Sequence, residues 1–244
     1  MIAGPHSPLG FLGQFGDAFD FIVNGHTGTF GGGTEVGGPD EVLDLAATHL
    51  EVTGLAMALA LAVALPAGLL LGHYGRGELL AVAAGNAGRA IPELAIIAFM
   101  ASAIGTGLLN VTIALAILAV PPILTNTFVA VRQVDRGAVQ AAQGMGMTAA
   151  GVVGRVELPL AVPTIMGGVR TSTINVVATA TIAPLAGVLT LGDFILSRNV
   201  YGDDGVLAGA ICVAIMALAL ELLLAGAQRL LTPRGLRLAR ARTA

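Results

Sequence analysis

One polar segment, residues 132–162, lies between long apolar runs and carries the residue types that a docking site for another protein requires. Alanines and glutamines before Gly144 favour a short helix, Gly146 interrupts it, and Thr148 is a good N-cap for a second short helix. A helix of small residues followed by a glycine turn fits into a groove on a partner, and Met145 would add an adaptable apolar contact. The pattern by itself leaves open whether the segment docks or is an ordinary linker.

Polar side chains also occur inside the apolar runs, where they could line a pathway or hold helices together. Arg89 and Glu93 are four residues apart, so on a helix they share one face and can pair. Such a pair either stabilises the helix near the lipid headgroups or acts in a pathway or gate. A later run has four candidate pathway residues near one face, which are Thr171, Asn175, Thr179 and Ile182. The alternative for this face is helix packing through small residues, which is equally common in membranes.

The composition excludes a water-soluble protein. Of 244 residues, 55% are hydrophobic and only 11% are charged, against roughly 25% charged in an average soluble domain. The mean hydropathy is +0.86, and the 34 glycines suit closely packed membrane helices. All 12 basic residues are arginine, and they form no basic stripe on a polar fold, so no nucleic-acid partner is expected. A single cysteine and histidines without metal-ligand spacing predict no metal site, and no catalytic residue is predicted.

Five apolar runs are long enough to cross about 30 Å of hydrocarbon as helices, which predicts an all-α polytopic membrane protein. The predicted spans are residues 50–72, 80–104, 108–131, 164–190 and 206–231. If the spans alternate, most arginines fall on one side, chiefly in the loop 132–162 and in the tail 233–244. The excess of arginine on the cytoplasmic side of membrane proteins then places the N-terminus outside and the C-terminus in the cytoplasm.

Residues 1–45 differ from the rest, because they contain acidic residues, no basic residue and glycine-rich turns. Phe11, Phe15 and Ile22 recur at helical spacing, which predicts a short amphipathic helix on the membrane surface. The alternative is a disordered acidic tail. The chain is therefore divided into this extracytoplasmic or interfacial segment, one transmembrane domain over residues 46–232 and the arginine-rich tail.

The polar segment resembles the EAA motif of the membrane subunits of ATP-binding-cassette (ABC) importers. That motif is Glu-Ala-Ala, three residues, Gly, nine residues, Ile, one residue and Leu-Pro. Here Gln140-Ala141-Ala142 is followed at the same spacing by Gly146, Val156 and Leu158-Pro159. Gln140 stands in place of the glutamate and Val156 in place of the isoleucine, so this segment lacks the carboxylate of the family's pattern.

The stretches 144–148, 155–160, 168–173, 179–183 and 187–192 are similar to the glycine betaine, carnitine and choline branch of these permeases. The resemblance covers about residues 48–231. It makes ten residues the expected ATPase-coupling loop, which are Gln140, Ala141, Ala142, Gly144, Met145, Gly146, Thr148, Val156, Leu158 and Pro159.

The resemblance implies a permease subunit with the type I ABC importer fold in a bacterial cytoplasmic membrane, and not an enzyme. Its expected substrates are the osmoprotectants glycine betaine, choline and carnitine. Separate ABC ATPase subunits would bind the coupling loop and hold ATP and Mg, because this chain has no GxxxxGK[ST] phosphate loop and binds no cofactor itself. A second permease subunit, identical or homologous, would complete the pathway within the lipid, and an extracytoplasmic substrate-binding protein would deliver the solute. The alternatives are a permease for methionine or another amino acid, and a membrane interaction protein without transport.

Overall fold

The computed structural model describes residues 8–28, 35–79, 83, 85, 91–233 and 235. Its helices are α1 (Pro8–Asn24), α2 (Gly38–Tyr74), α3 (Glu93–Ile104), α4 (Leu108–Arg132), α5 (Arg136–Gly144), α6 (Ala149–Val152), α7 (Leu158–Thr179), α8 (Gly192–Leu196) and α9 (Arg198–Leu231). A π-helical turn, Val153–Glu157, joins α6 to α7, and a 3-10 helix, Ala180–Ala186, follows α7. Two strands of two residues, β1 (His26–Thr27) and β2 (Glu35–Val36), pair antiparallel. This hairpin was not expected from the sequence, because strands of two residues leave no periodic pattern.

Four helical stretches are long and apolar enough to cross a membrane, namely α2, α4, residues 149–186 and α9. They lie where the first, third, fourth and fifth spans are predicted, and α2 begins well ahead of position 50, at Gly38. In the region of the second span, 80–104, the described helix is α3, which starts directly after its N-cap, Pro92. A proline at this boundary is expected, since its ring fixes φ and it has no N–H to donate. Residues 80–82, 84 and 86–90 lie outside the described residues, and so does Arg89.

The polar loop is shorter than the predicted segment 132–162. Helical backbone resumes at Ala149 and continues without interruption through the π-helical turn into α7. In that turn the N–H of Leu158 bonds to the carbonyl of Val153, five residues back. The wider turn makes room for the ring of Pro159, which in a regular helix would clash with the carbonyl four residues earlier. Pro159 therefore sits in the first turn of α7 and does not end the loop.

The helices α2 and α4 run in the same direction and pack closely along their second halves. Gly68 lies against Thr127, and Gly72 lies against Val131. A β-carbon on either glycine would approach the opposite β-carbon to 2.6 Å and 2.7 Å respectively, which is closer than real side chains come. Glycine is required at both positions because only a residue without a side chain lets the two backbones come this near.

The bundle has two chemically different ends. The arginine-rich end holds the carboxyl ends of α2, α4 and α9 together with α5 and α6, and its arginines are Arg76, Arg132, Arg136, Arg155 and Arg229. The acidic end holds α1, the hairpin, the start of α2 and α8 with the start of α9. This separation of charge along the bundle axis is what the alternation of spans predicts.

At the acidic end, a buried aromatic cluster holds α1 against the bundle. Phe21 of α1 is fully buried and meets the rings of Phe194 and Tyr201 edge to face, at centroid distances of 5.3 Å and 6.3 Å. The Tyr201 hydroxyl lies 3.0 Å from a carboxylate oxygen of Glu41 and 3.0 Å from one of Asp193. These contacts join α1, the first turn of α2, α8 and α9.

The turn after α1 is closed by side-chain hydrogen bonds. His26 Nε2 lies 3.0 Å from Asp20 Oδ2, and the side-chain amide of Asn24 donates to Asp20 Oδ1 at 2.6 Å. These two hydrogen bonds hold the pKa of Asp20 below its usual value, so this carboxylate stays ionised to a lower pH than an ordinary aspartate.

Gly68→Ala is expected to destabilise the bundle, because its β-carbon would lie 2.6 Å from Thr127 Cβ and 3.0 Å from the Leu124 carbonyl oxygen. Overpacking of this kind costs about 1–3 kcal/mol, so the melting temperature of the purified chain in detergent should fall. Gly54→Ala is the matched control, since nothing lies within 4 Å of the β-carbon that it adds to the same helix. Equal melting temperatures for the two variants would contradict the close packing of α2 and α4.

Candidate functional site

The segment between α4 and α7 is a folded unit anchored in the main core. Asp135 caps α5, with its carboxylate accepting a hydrogen bond from the N–H of Ala138 at 2.8 Å. Val139 and Ala142 on the inner face of α5, and Val152 in α6, are buried among the core residues of the bundle. The segment is thus fixed at both of its short helices, which an ordinary flexible linker would not be.

A glycine turn ends α5 and sets the direction of the chain. Gly146 has φ of +81°, a left-handed conformation that glycine adopts without strain. The N–H of Met147 bonds to the carbonyl of Ala142 at 3.1 Å, and the N–H of Gly146 bonds to that of Gln143 at 2.9 Å. This pattern closes the open carbonyls at the end of the helix and requires a residue that tolerates positive φ. The glycine at this spacing in the motif therefore has a backbone function.

Thr148 starts the next helix, as the sequence predicts. Its hydroxyl accepts a hydrogen bond from the N–H of Gly151 at 3.2 Å, the geometry of an N-cap. The chain therefore passes from one capped helix to the other within four residues, which keeps the turn compact.

The outer surface of this unit is exposed and carries no charged side chain between Gly137 and Thr148, whereas Asp135, Arg136 and Arg155 are exposed at its two ends. Gln140, Ala141, Gly144, Gly146 and Thr148 are exposed, and Met145 is exposed by 74%. Behind Met145 lies a shallow concavity of about 660 Å³ whose lining residues include Thr148, Gly151 and Arg155. Ala142, by contrast, faces the core, so the three residues that match the EAA motif divide between an inner and an outer face.

The three motif residues at the end of the segment, Val156, Leu158 and Pro159, are half-buried in the π-helical turn and the first turn of α7. Between them lies Glu157, which is 1% exposed and whose Oε2 is 2.8 Å from Nδ1 of His73 in the last turn of α2. No motif or spacing in the sequence singles out either residue. A buried carboxylate has to have a partner, but nothing in the sequence indicates that this partner lies 84 positions away.

The predicted pathway residues do not form one continuous open face. Thr171 and Asn175 are exposed on α7, whereas Thr179 is 4% exposed and Ile182 is half-buried in the 3-10 helix. Glu93 is exposed in the first turn of α3, and its predicted partner, Arg89, is outside the described residues. The structure thus presents two neighbouring polar side chains, Thr171 and Asn175, on the outer face of α7.

Residues 64–236 match the protein family described as "Binding-protein-dependent transport system inner membrane component". The chain belongs to this family. It is 40% identical to the carnitine transport permease protein OpuCB of Listeria monocytogenes over 193 residues, which cover 79% of this chain and 88% of that protein. It is 38% identical to the choline transport system permease protein OpuBB of Bacillus subtilis (strain 168) over 189 residues, which cover 77% and 87% of the two proteins.

The fold agrees with this assignment. A permease chain in the inward-facing methionine ABC transporter MetNI superposes with a TM-score of 0.69 at 21% identity, covering 78% of this chain and 96% of that chain. The protein is therefore a multi-pass membrane permease of the ABC importer class with the type I fold, and the resemblance inferred from the polar segment is confirmed.

The permease also contains a polar cluster that the sequence analysis missed. On α7, the Arg170 guanidinium forms an ion pair with Glu221 of α9 and donates a hydrogen bond to Gln228 Oε1 at 2.7 Å. The Gln228 amide in turn donates to the carbonyl of Pro163 at 2.9 Å. A lone basic residue in one apolar run and a lone acidic residue in another are the signal that could have predicted this pair.

Within the described residues, no group of three or more histidine, cysteine, aspartate or glutamate side chains is placed to hold a metal ion.

Proposed function

We propose that this chain is the permease subunit of an ATP-driven importer for quaternary-amine osmoprotectants, with glycine betaine, choline or carnitine as the solute. The observation that carries the proposal is the identity of 38–40% to choline and carnitine transport permeases over more than three quarters of the chain. The methionine transporter shares the fold at only 21% identity, and so supports the architecture but not a methionine substrate.

The distribution of charge supports an orientation with the arginine-rich end in the bacterial cytoplasm. Five arginines of the described residues lie at that end, whereas Glu41, Asp193 and Asp204 lie at the other. Cytoplasmic loops of membrane proteins carry an excess of arginine and lysine. The α5–α6 unit then faces the cytoplasm, and α1 lies outside the membrane or at its outer surface.

The exposed surface of α5 and its glycine turn is the proposed docking site for an ABC ATPase subunit. Between Gly137 and Thr148 it carries no charge, contains small residues that allow close approach, and projects Met145 as an adaptable apolar contact, and the exposed Arg136 and Arg155 flank it. The ATPase would hold ATP and Mg, and closure of two such subunits would displace the docked segment. This chain contributes no catalytic group and no cofactor to that step.

The pathway would be completed by a second permease subunit, identical or homologous, and supplied by an extracytoplasmic substrate-binding protein. The outer face of α7 is the proposed wall of the pathway, because Thr171 and Asn175 place an exposed hydroxyl and an exposed amide on it. Polar groups on a membrane helix are stable when they face water or a partner helix, and costly when they face lipid.

Deleting the gene for this chain in the bacterium that produces it is expected to abolish its share of energy-dependent uptake of labelled choline, glycine betaine or carnitine. Uptake of labelled methionine measured in the same cells should not change. Loss of methionine uptake alone would assign the permease to an amino-acid importer, and unchanged uptake of all these solutes would favour a membrane protein without transport function.

Gly146→Ala is expected to reduce uptake in the complemented strain, because a left-handed backbone costs a residue with a β-carbon about 1–2 kcal/mol. Gly146→Asn should be less harmful, since asparagine tolerates this conformation. Gly54→Ala is the matched control, because Gly54 lies outside the coupling loop, is exposed and helical, and has nothing within 4 Å of an added β-carbon. Equal uptake by Gly146→Ala and Gly54→Ala, at equal membrane levels, would contradict a role for the turn.

Asn175→Cys and Thr171→Cys are expected to react with a membrane-impermeant cationic thiol reagent in a chain whose native Cys212 has been replaced by serine. Ser172→Cys is the control on the same helix, because Ser172 is fully buried and donates to the carbonyl of Ala119 at 3.2 Å. Labelling is measured by a mass shift of the purified chain, with the solute added as a protecting ligand. If neither exposed position reacts, this face of α7 lies against lipid and is not a pathway wall.

A further inference from the structure

The α5–α6 unit together with the π-helical turn that follows it, residues 136–157, is named the docking unit, and a buried hydrogen bond ties its end to α2. Glu157 is the last residue of the π-helical turn that follows α6, and His73 lies in the last turn of α2. Their side chains are 1% and 9% exposed, and the His73 Nδ1 to Glu157 Oε2 distance is 2.8 Å. The pair is therefore a hydrogen bond shielded from water, unlike the exposed ion pair of Arg198 and Asp203 at the acidic end.

The surroundings of His73 restrict where its ring can go. The ring meets Tyr74 edge to face at 5.1 Å, and the helix ends one residue later at Gly75, which has φ of +65°. One residue before His73, Gly72 is packed against Val131 of α4. His73 thus sits in a segment of α2 whose backbone is held by α4.

Separating His73 from Glu157 costs free energy whichever of the two residues moves. A buried carboxylate that loses its hydrogen-bond partner stays desolvated with nothing to offset the cost, whereas an exposed carboxylate that loses its partner is solvated by water. The contact lies at the junction between the docking unit and α7. A displacement of the docking unit will therefore carry the end of α2 with it, as long as the pair stays intact.

We propose that His73 and Glu157 are positioning residues that make α2 move as one body with the ATPase-docking unit. Through the glycine-lined contact of α2 with α4, the displacement then reaches the helices that form the pathway. The proposal rests on the proposed transport function, and it adds that α2 takes part in coupling. Without the pair, the docking unit moves while α2 stays, so ATP is hydrolysed without the matching movement of solute.

The test uses the complete importer, consisting of this permease with its ATPase and binding protein, in proteoliposomes. ATP hydrolysis and solute uptake are measured in the same vesicles. His73→Ala and Glu157→Ala are expected to lower the solute imported per ATP about tenfold, within the usual range for coupling between sites, while hydrolysis continues. Glu157→Gln, which can still accept the hydrogen bond, and the exchange His73→Glu with Glu157→His should restore most of the ratio.

Glu221→Ala is the control, because it breaks the ion pair with Arg170 that does not touch the docking unit. A loss of stability alone lowers hydrolysis and uptake together, and this is the result expected for the control. The proposal would be overturned if His73→Ala left the ratio of solute imported to ATP hydrolysed unchanged, whether both rates stay the same or fall in proportion. If the parent importer carries another solute, the ratio is measured with that solute, so the substrate assignment fails separately from the role of the pair.

Hydrogen exchange of the purified chain in detergent tests the same link without transport. In His73→Ala, the amides of residues 69–75 and 153–158 are expected to exchange faster together, whereas Glu221→Ala should leave both regions unchanged. Faster exchange in only one of the two regions would show that they are not held as one body, and would overturn the proposal even where uptake cannot be detected.

Discussion

Hydrocarbon offers no hydrogen-bond partner to a peptide group, and this constraint determines the form of the whole molecule. Each backbone N–H and carbonyl that crosses the membrane has to be paired within its own helix, so the spanning stretches are continuous and long. The helical pattern changes at the π-helical turn, at the 3-10 helix and at Gly202 of α9, whose backbone angles are not helical. At each of these places a helix meets a loop or a polar end of the bundle. Irregular backbone is thereby kept close to protein partners.

Because lipid is as apolar as the side chains, hydrophobic burial alone cannot select which helices meet. Close backbone approach and polar pairs make that selection here. Gly68 and Gly72 specify the contact of α2 with α4, and Arg170 with Glu221 and Gln228 specifies that of α7 with α9. The hydrogen-bonded pair of His73 and Glu157 is also a polar contact, but it joins the end of α2 to the π-helical turn before α7.

Hydropathy and motif spacing predicted the parts of this structure that depend on residues close together along the chain. Apolar runs located the long helices, and the loop pattern located Gly146 and Thr148, because helix caps are determined within a few positions of the chain. Contacts between residues that are far apart along the chain could not be predicted from the sequence. Nothing near His73 or Glu157 indicates their contact, and Arg170 and Glu221 are likewise 51 positions apart. Thr179 was grouped with Thr171 by helical spacing, but the 3-10 helix and its neighbours bury it, which periodicity alone could not show.

The docking of α1 onto α9 has a bearing on how the chain is assembled. Phe21 is made early by the ribosome, whereas Phe194 and Tyr201, which meet its ring, are in the last quarter of the chain to emerge. During synthesis α1 can pack on the start of α2, but the aromatic part of its binding surface is absent until most of the chain has been made. The aromatic junction is therefore completed last, and it forms only when the first and final helices of the same molecule come into contact.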